Sequence, residues 1–373
     1  MPICLKEGRG ALSGANIAVM LRELGVTNPM LVAGTRTKDV FFARTGMRLP
    51  VFSAFHANPD LEDCQAGAAQ YRAKGCDGLI SIGGGSAMDT AKGVKALILA
   101  DLPDVRRSHL PADSHLPHLA IPATAGTGAE TTAVAVLYEN NQKLSVDHQT
   151  LLPDGVLLDG SLLDTLPEYH RKSCAMDALA QGIESWWARK ATADSRVHAE
   201  NAIHGVLDHL TKYMAGDADA QDAMLHAAYE SGLAILTTRT TAAHAMSYQI
   251  TKKLGAAHGH ACMLTLPHLW LHLAQHPQNQ PMLEALSALC GGKTAQDGAL
   301  LLKGLLASLE LDNLPMPDDA MLDYLAASVN PERLGNHPEP LNKQQLREIY
   351  QQAFTPMTAD EREKALNQWR QHG

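Results

Sequence analysis

Residues 79–92 read LISIGGGSAMDTAK, an apolar run of strand length that leads through three glycines into the spacing of an amphipathic helix. Consecutive glycines let the backbone approach a ligand closely, and the N–H groups at the start of the helix favour a phosphate. A plain tight turn is the alternative, but such a turn seldom needs three glycines followed by Ser86. The stretch therefore predicts a pyrophosphate site at Gly83, Gly84, Gly85 and Ser86 in an α/β unit, although the GxGxxG spacing is absent.

A second glycine-rich turn, PATAGTGAETT, occupies residues 122–132 and also follows a predicted strand. Its small hydroxyl residues, Thr124 and Thr127 among them, offer hydrogen-bond donors and steric room together, which suits the inner end of a nucleotide. Ligands of open α/β sheets bind at the carboxyl ends of the strands. Two phosphate-compatible turns at neighbouring strand ends therefore favour a nucleotide more strongly than either turn does alone.

The order of patterns along the chain predicts two domains. Up to about residue 160, short apolar runs alternate with amphipathic helical patterns, which is typical of a parallel sheet with helices on its faces. These runs and patterns are, in chain order, 30–33, 61–74, 79–82, 87–100 and 119–122. From about Glu168 helical patterns dominate, over 174–190, 199–214, 220–237 and 342–353. We expect an α/β domain with a parallel sheet at 1–163 and an all-α domain at 164–373.

The composition limits the classes of function. Forty residues are acidic and 31 are basic, so the formal net charge of -9 argues against nucleic acid and anionic membrane surfaces as partners. No apolar run approaches the roughly 20 residues of a membrane span, and the opening segment lacks a signal-peptide core, so we expect a cytoplasmic protein. The six cysteines have no metal-knuckle or redox-pair spacing and are expected to be reduced. The 18 histidines concentrate between Ala242 and His276, which is the first indication of a site.

Four motifs resemble those of the iron-containing (group III) metal-dependent alcohol dehydrogenases, and the resemblance covers nearly the whole chain. They are GGGSAMDTAK at 83–92, PATAGTGAETT at 122–132, DALAQGIES at 177–185 and a block at 244–267 that ends in AAHGHACMLTLP. The family counterparts are GGGSxxDxxK, PTTxGTGSExT, DALxHAIE and GxxHGxxxAxxLP. The resemblance implies a dinucleotide-binding N-terminal domain, a helical metal-binding C-terminal domain and interconversion of aldehyde and alcohol in the cleft between them.

Residues in the second half match the donors of a divalent-metal site. Asp177 and Gln181 are four apart in a helical pattern and project from one face, while His244 and His258 lie in the block that the family motif marks. One carboxylate and two imidazoles suit Fe(II) or Zn(II) with a position left open for substrate. A lone histidine is more often a core or surface residue, but geometry and resemblance together favour ligand roles here. We expect Asp177, His244 and His258 to hold one catalytic metal.

The sequence departs from the family at two positions of this site. Position 181 is usually histidine in the family, whereas glutamine offers only a neutral amide oxygen, a weaker ligand for late transition metals. Gln181 is therefore either a further ligand or a residue that orients a ligand or the substrate. Tyr248 stands where many family members carry a second histidine. Tyr248 and His260 are candidate proton relays, with simple packing as the alternative for each.

The nucleotide preference depends on the turn after the predicted strand at 30–33. NAD-preferring folds usually place a carboxylate there to bond the ribose 2′-OH, but this turn reads GTRTK. The room at Gly34, the hydroxyl of Thr35 and the charges of Arg36 and Lys38 suit a 2′-phosphate. We expect NADPH, with NADH as the second choice; an exposed polar loop is the alternative.

The resemblance also implies the reaction and two further cofactor residues. Asp89 belongs to the GGGSxxDxxK motif, and Lys143 resembles the family lysine near the nicotinamide, although it could equally be a solvated loop charge. The implied chemistry is hydride transfer from the nicotinamide C4 to an aldehyde whose oxygen the metal polarises. The turn at Gly34 and the glutamine of DALAQGIES resemble the phosphonoacetaldehyde reductase subgroup, which implies a short aldehyde with an anionic group. A homodimer is the expected assembly.

Three other functions remain open from the sequence. A metal-dependent lyase similar to dehydroquinate synthase would use NAD only transiently. An enzyme similar to maleylacetate reductase would reduce a double bond without a metal. A nucleotide-binding protein without turnover is the third alternative, and Gln181 gives it some support.

Overall fold

The computed structural model describes residues 4–140 and 142–371. The chain forms two compact units: the first runs up to Leu166 and takes in Gln221–Gly232, and the second comprises Pro167–Ala220 and the chain from Leu233 onward. The predicted domains, 1–163 and 164–373, stay a prediction, because a compact unit need not be an independently folding domain.

The first unit is an α/β structure. Its strands and helices are, in chain order, β1 (Cys4–Glu7), α1 (Gly14–Glu23), β2 (Pro29–Ala33), α2 (Thr35–Thr45), β3 (Val51–Phe52), α3 (Leu61–Ala73), β4 (Gly78–Gly83), α4 (Gly85–Leu99), α5 (Leu102–Arg106), β5 (His118–Pro122), β6 (Val134–Glu139), β7 (Gln142–Asp147) and β8 (Gly155–Leu158). Six strands form one sheet in the order β1-β8-β5-β4-β2-β3, and its paired neighbours run parallel. β6 and β7 form a separate antiparallel pair.

The four inner strands of the sheet, β8, β5, β4 and β2, are buried along their whole length, and nearly all of their residues are apolar. Met30 and Val32 of β2 join one hydrophobic core, whereas Leu31 and Ala33 join another. Successive side chains of a strand point to opposite faces, so both faces need a cover. Helices on the two sides of a parallel sheet supply it, which explains why the sequence shows unbroken apolar runs rather than alternation.

Most of the described residues of the second unit lie in helices. The helices from residue 168 onward are α6 (Glu168–Trp187), α7 (Ala193–Met214), α8 (Ala218–Thr238), α9 (Ala242–Gln249), a π-helical segment (Ile250–Leu254), α10 (His258–Ala274), α11 (Gln280–Leu289), α12 (Ala295–Ser308), α13 (Asp319–Ala327), α14 (Pro331–Leu334), α15 (Lys343–Phe354) and α16 (Ala359–Arg370). The part of α8 at Gln221–Gly232 belongs to the first unit. Within the described part of the chain, no helix combines the length and apolar character that a membrane crossing needs.

The predicted fold class is confirmed, with one local correction. A parallel α/β sheet is followed by a mostly helical region, as expected. The prediction of a turn at 34–38 is wrong, because these residues form the start of a helix. Gly34 is the N-cap and Thr35 is the first residue of α2. The β6–β7 pair and α16 lie outside the predictions.

Candidate active site

The glycine-rich turn after β4 is a helix N-terminus. β4 ends at Gly83, Gly84 is the N-cap and α4 begins at Gly85. Gly83 has a φ of +153°, and a Cβ added there would lie 2.8 Å from the Cβ of Ala87, so a side chain at this position would be strained. The first N–H groups of an α-helix have no acceptor within the helix, which is the arrangement that binds phosphate.

The two glycine-rich turns pack against each other. A Cβ added to Gly84 would lie 3.2 Å from Cγ2 of Thr124, and one added to Gly85 would lie 3.3 Å from Cγ2 of Thr127. β4 and β5 are neighbours in the sheet, so their carboxyl ends lie side by side. The structure therefore brings the predicted phosphate residues of both turns together at one edge of the sheet.

Lys92 and Ser86 connect these turns to their surroundings. Lys92 is fully buried, and its Nζ donates to the carbonyl oxygen of Ala129 at 2.6 Å and to the Thr132 hydroxyl at 3.0 Å. These bonds tie α4 to the end of the second turn. The Ser86 hydroxyl accepts the backbone N–H of Asn58 at 3.2 Å. Lys92 was not predicted as a site residue, although a lysine on a buried helix face is itself a signal.

Asp89 and Lys143, both predicted at the cofactor, interact electrostatically. Burial raises the pKa of the Asp89 carboxyl to about 6, against the opposing effects of Lys92, the backbone N–H of Val136 and Lys143. Lys143 lies on β7. The two predicted residues thus share one neighbourhood.

Glu130 is a buried carboxyl at the end of the second turn. It is 1% exposed, and its Oε1 has no hydrogen-bond partner among the described residues. Burial raises the pKa of Glu130 to about 7, although its own backbone N–H and Lys92 favour the charged form. Ionisation of Glu130 therefore destabilises the fold.

Replacing Glu130 with glutamine is expected to increase stability near pH 8 far more than near pH 5. A carboxyl with a raised folded pKa stabilises the fold fully below its unfolded pKa and loses that contribution as the pH rises through about 7. Between these two pH values the unsubstituted protein should lose roughly 2–3 kcal/mol of unfolding free energy relative to the variant. Urea unfolding at both pH values measures this difference, and an equal difference at each would contradict the prediction.

The turn predicted to accept the 2′-phosphate is the N-terminus of α2. A Cβ added to Gly34 would meet a single atom within 4 Å, at 3.9 Å, so this position has room for a ligand. The Arg36 guanidinium donates to the carbonyl oxygen of Thr165 at 3.0 Å, and Lys38 pairs with Asp39 at 3.7 Å. Arg36 and Lys38 thus lie in the first turn of α2, whose N-terminus favours an anion, but both side chains have protein partners.

In the second unit, four side chains converge on one point. Asp177 of α6, His244 of α9, and His258 and Cys262 of α10 each offer one donor atom, and these atoms all lie within 4.8 Å of one another. Oδ1 of Asp177 is 3.2 Å from Nε2 of His244 and 3.9 Å from Nε2 of His258. The structure thus brings the three predicted ligands together. Cys262 was not predicted, although its position four residues after His258 places it on the same helix face.

Gly259 explains the close approach of α10 to α6. A Cβ added there would lie 1.9 Å from the carbonyl oxygen of Ser173 and 2.7 Å from the Cβ of Asp177. Any side chain would push His258 away from Asp177. The His-Gly pair of the motif therefore has a steric reason.

Glu184 and Ser247 set which nitrogen of each histidine faces the cluster. Oε2 of Glu184 accepts a hydrogen bond from Nδ1 of His244, and its Oε1 accepts two backbone N–H groups at the start of α9, at 3.0 and 2.9 Å. The Ser247 hydroxyl donates its one proton to the carbonyl oxygen of His244 at 2.8 Å. Its oxygen therefore accepts a hydrogen bond from Nδ1 of His258 at 3.3 Å. Partners of this kind leave Nε2 of both histidines available to a metal.

Gln181 reaches the cluster through Asp177. Its amide nitrogen donates a hydrogen bond to the Asp177 carboxylate. Burial raises the pKa of this carboxyl, but His258, His244 and the Gln181 hydrogen bond together lower it below its usual range. This contact favours the orienting role over direct coordination, the two roles that the sequence left open for Gln181.

The charges of the cluster act on one another. Burial lowers the pKa of His258, yet Cys262 and Asp177 raise it to about 9. Burial raises the pKa of Cys262, but His244 and His258 lower it to about 7. A buried set of anionic and basic donors is the donor chemistry of a divalent-metal site, in which the metal displaces the protons.

The two predicted proton relays differ in their surroundings. The ring of Tyr248 stacks on that of His258, with centroids 6.0 Å apart and planes 8° apart. Nε2 of His260 donates to the carbonyl oxygen of Leu311 at 2.9 Å, so its Nδ1 accepts from the Tyr169 hydroxyl at 3.1 Å. Both ring nitrogens of His260 are therefore engaged, whereas Tyr248 borders the cluster.

Comparison with known proteins defines the class of enzyme. Residues 6–160 match the iron-containing alcohol dehydrogenase domain, and residues 172–354 match the C-terminal domain of the Fe-containing alcohol dehydrogenase family. This chain belongs to the iron-containing alcohol dehydrogenase family and is an oxidoreductase. It is 32% identical over 316 residues to phosphonoacetaldehyde reductase of Streptomyces viridochromogenes, an alignment that covers 78% of this chain and 80% of that protein.

Solved structures support the same assignment. Sulfoacetaldehyde reductase from Bifidobacterium kashiwanohense, in complex with NAD+, has a TM-score of 0.82 at 26% identity over 95% of this chain and 97% of its own. The iron-containing alcohol dehydrogenase from Thermococcus thioreducens has a TM-score of 0.85 at 23% identity over 95% and 98%, which shows the fold alone. Enzymes of this family use NAD(H) and a divalent metal in alcohol and aldehyde chemistry. The glycine-rich turns and the four-donor cluster fit these two requirements.

Proposed function

We propose that this enzyme reduces a short aldehyde carrying an anionic group, with NADPH as hydride donor and Fe(II) or Zn(II) at Asp177, His244 and His258. One observation carries the substrate class. The named substrates of two relatives, phosphonoacetaldehyde and sulfoacetaldehyde, are both two-carbon aldehydes with an anionic group. The similarity to both relatives extends over most of this chain, which supports a shared aldehyde class.

The second unit holds the side chains of the proposed metal site in fixed orientations. A divalent cation there supplies Lewis-acid polarisation of the aldehyde oxygen, and NADPH supplies the hydride. Glu184 and Ser247 keep Nε2 of His244 and His258 directed at the cluster through the hydrogen bonds described above. These contacts fix the two imidazoles before the substrate arrives, so less reorganisation is needed during the reaction.

Tyr248 is our candidate for moving the proton that the reduced product needs. Its ring lies against His258, so its hydroxyl is carried by a side chain at the border of the cluster. His260 is the weaker candidate because it would first have to release Tyr169 or Leu311. Replacing Tyr248 with phenylalanine keeps the stacked ring and removes only the hydroxyl.

NADPH oxidation with metal-reloaded enzyme tests the substrate class. We expect kcat/KM for phosphonoacetaldehyde or sulfoacetaldehyde to exceed that for acetaldehyde at least about tenfold, or about 1.4 kcal/mol. A preference for acetaldehyde would reject the anionic substrate. Turnover without net NADPH consumption would indicate a lyase. Activity that survives complete chelation would indicate a metal-free reductase, and NADPH binding without turnover would indicate a binding protein.

Replacing Gly34 with aspartate is expected to shift the cofactor preference from NADPH toward NADH. We expect the unsubstituted enzyme to prefer NADPH at least about tenfold, because charge-assisted contacts to a 2′-phosphate supply more than about 1.4 kcal/mol. The backbone of Gly34 has a φ of -67° and space for a Cβ, so aspartate should fit without strain. Its carboxylate would repel a 2′-phosphate and accept from a 2′-OH. Comparing kcat/KM for both cofactors measures the shift, with Gly34→Asn as the uncharged control; equal use of NADH by the unsubstituted enzyme would reject the assignment.

A further inference from the structure

Cys262 is a fourth donor at the metal cluster. It lies one turn after His258 on α10 and is fully buried. Its Sγ is 3.8 Å from Nε2 of His258, and it belongs to the set of donor atoms that lie within 4.8 Å of one another. The thiol therefore faces the same point as the carboxylate of Asp177 and the two imidazoles.

The distances within the set approach those of a tetrahedral site. With typical zinc bond lengths, tetrahedral ligands are separated by about 3.3 Å between oxygen and nitrogen and about 3.6 Å between sulfur and nitrogen. The corresponding distances here are 3.2 and 3.9 Å from Asp177 to the two imidazoles and 3.8 Å from Cys262 to His258. The Asp177–His244 and Cys262–His258 distances lie within about 0.2 Å of these values, whereas Asp177 and His258 would have to approach each other by about 0.6 Å.

Gln181 is poorly suited to be the fourth ligand. Its amide oxygen is neutral and is a weaker ligand for a late transition metal than a thiolate, and its amide nitrogen, which cannot bind a cation, donates to the Asp177 carboxylate. The sequence thus has glutamine where the family motif usually has histidine, and it also has a buried cysteine facing the cluster from another helix.

We propose that Cys262, and not Gln181, supplies the fourth protein ligand, so that the metal is held by Asp177, His244, His258 and the Cys262 thiolate. This inference rests on the proposed metal site. Thiolate is a soft ligand that favours Zn(II) over Mn(II), and a second anionic ligand strengthens metal retention. Zinc can expand to five-coordination, so a fourth protein ligand leaves a way for substrate to bind. Gln181 then acts by positioning Asp177.

Cobalt substitution tests the ligand without reference to activity. Metal-stripped enzyme titrated with Co(II) is expected to show a thiolate-to-cobalt charge-transfer band in the near ultraviolet. Cys262→Ala should abolish this band, whereas Cys290→Ala, at another buried cysteine of the same unit, should keep it. X-ray absorption of the unsubstituted zinc enzyme should show one sulfur at about 2.3 Å, and this measurement needs no variant.

A rescue variant separates coordination from packing. Cys262→Ala should lower Zn(II) affinity by more than about 100-fold, the upper end of the loss expected when only a partner of a ligand is removed. Adding Gln181→His to Cys262→Ala supplies the usual family imidazole and should restore most of that affinity without restoring the charge-transfer band. A purely structural role of Cys262 would not be rescued from position 181.

The outcomes distinguish a wrong assignment of Cys262 from a wrong metal site. If Co(II) binds with no sulfur signature and His258→Ala abolishes binding, the metal site stands and the assignment of Cys262 is wrong. If Co(II) binding survives both His258→Ala and Cys262→Ala, the proposed metal site itself is wrong.

Discussion

Replacing His258 with alanine is expected to remove the bound metal and to lower kcat/KM at least about 1,000-fold, or about 4 kcal/mol. His258 offers its Nε2 to the cluster, and its Nδ1 is held by Ser247. Without this imidazole, Asp177, His244 and Cys262 would have to hold the cation with one fewer donor. The polarisation of the aldehyde would then be lost with the metal.

NADPH binding should survive this substitution, because the glycine-rich turns belong to the other compact unit. Elemental analysis and fluorescence titration with NADPH measure the two properties separately. His272→Ala is the matched control, since His272 lies on the same helix outside the four-donor set. Full metal content in His258→Ala would show that His258 is not a ligand.

The strand and the helix on either side of Gly84 could be predicted because their signals are local. An apolar strand, three glycines and a helix lie within 79–92, and the backbone conformation of Gly83 is one that glycine adopts without strain. Local sequence signals led to a wrong prediction of the conformation of residues 34–38. Those residues are polar and begin with glycine, which suggests a loop, yet Gly34 occupies the N-cap of α2.

The residues that orient the proposed metal ligands could not be predicted, because their partners are distant in sequence. Glu184 is 60 residues from His244 and meets it through the packing of different helices. A partial signal exists, since positions 177, 181 and 184 share one helical face. That face shows which side chains lie together on α6, but it does not show which histidine they meet.

The placement of part of α8 also depends on tertiary structure. The helical pattern at 220–237 predicts a helix but not the unit with which it packs. A Cβ added to Gly232 would lie 2.1 Å from Oγ1 of Thr131 and 2.3 Å from the carbonyl oxygen of Gly128. This backbone approach is possible because both helix and turn carry glycine at the contact, and neither glycine alone indicates its partner.

Replacing Gly84 with aspartate is expected to weaken NADPH binding at least about 100-fold relative to replacing it with asparagine, or about 3 kcal/mol. Gly84 is the N-cap of α4 and has a φ of -85°, which any residue can adopt. Aspartate and asparagine are equally good N-caps, so both variants should fold. Their Cβ atoms would make the same contact with Thr124, at 3.2 Å from its Cγ2.

The two side chains at position 84 therefore differ mainly in charge, and the charge would stand where the first N–H groups of α4 are expected to receive a pyrophosphate. Calorimetric titration with NADPH gives the two affinities, and metal content should be the same in both variants because Asp177, His244 and His258 lie in the other compact unit. If both variants lose affinity equally, the contact with Thr124 rather than the charge is responsible. If the aspartate variant binds NADPH as tightly as the unsubstituted enzyme, the phosphates do not lie at this helix end, and the turn at 83–86 is structural.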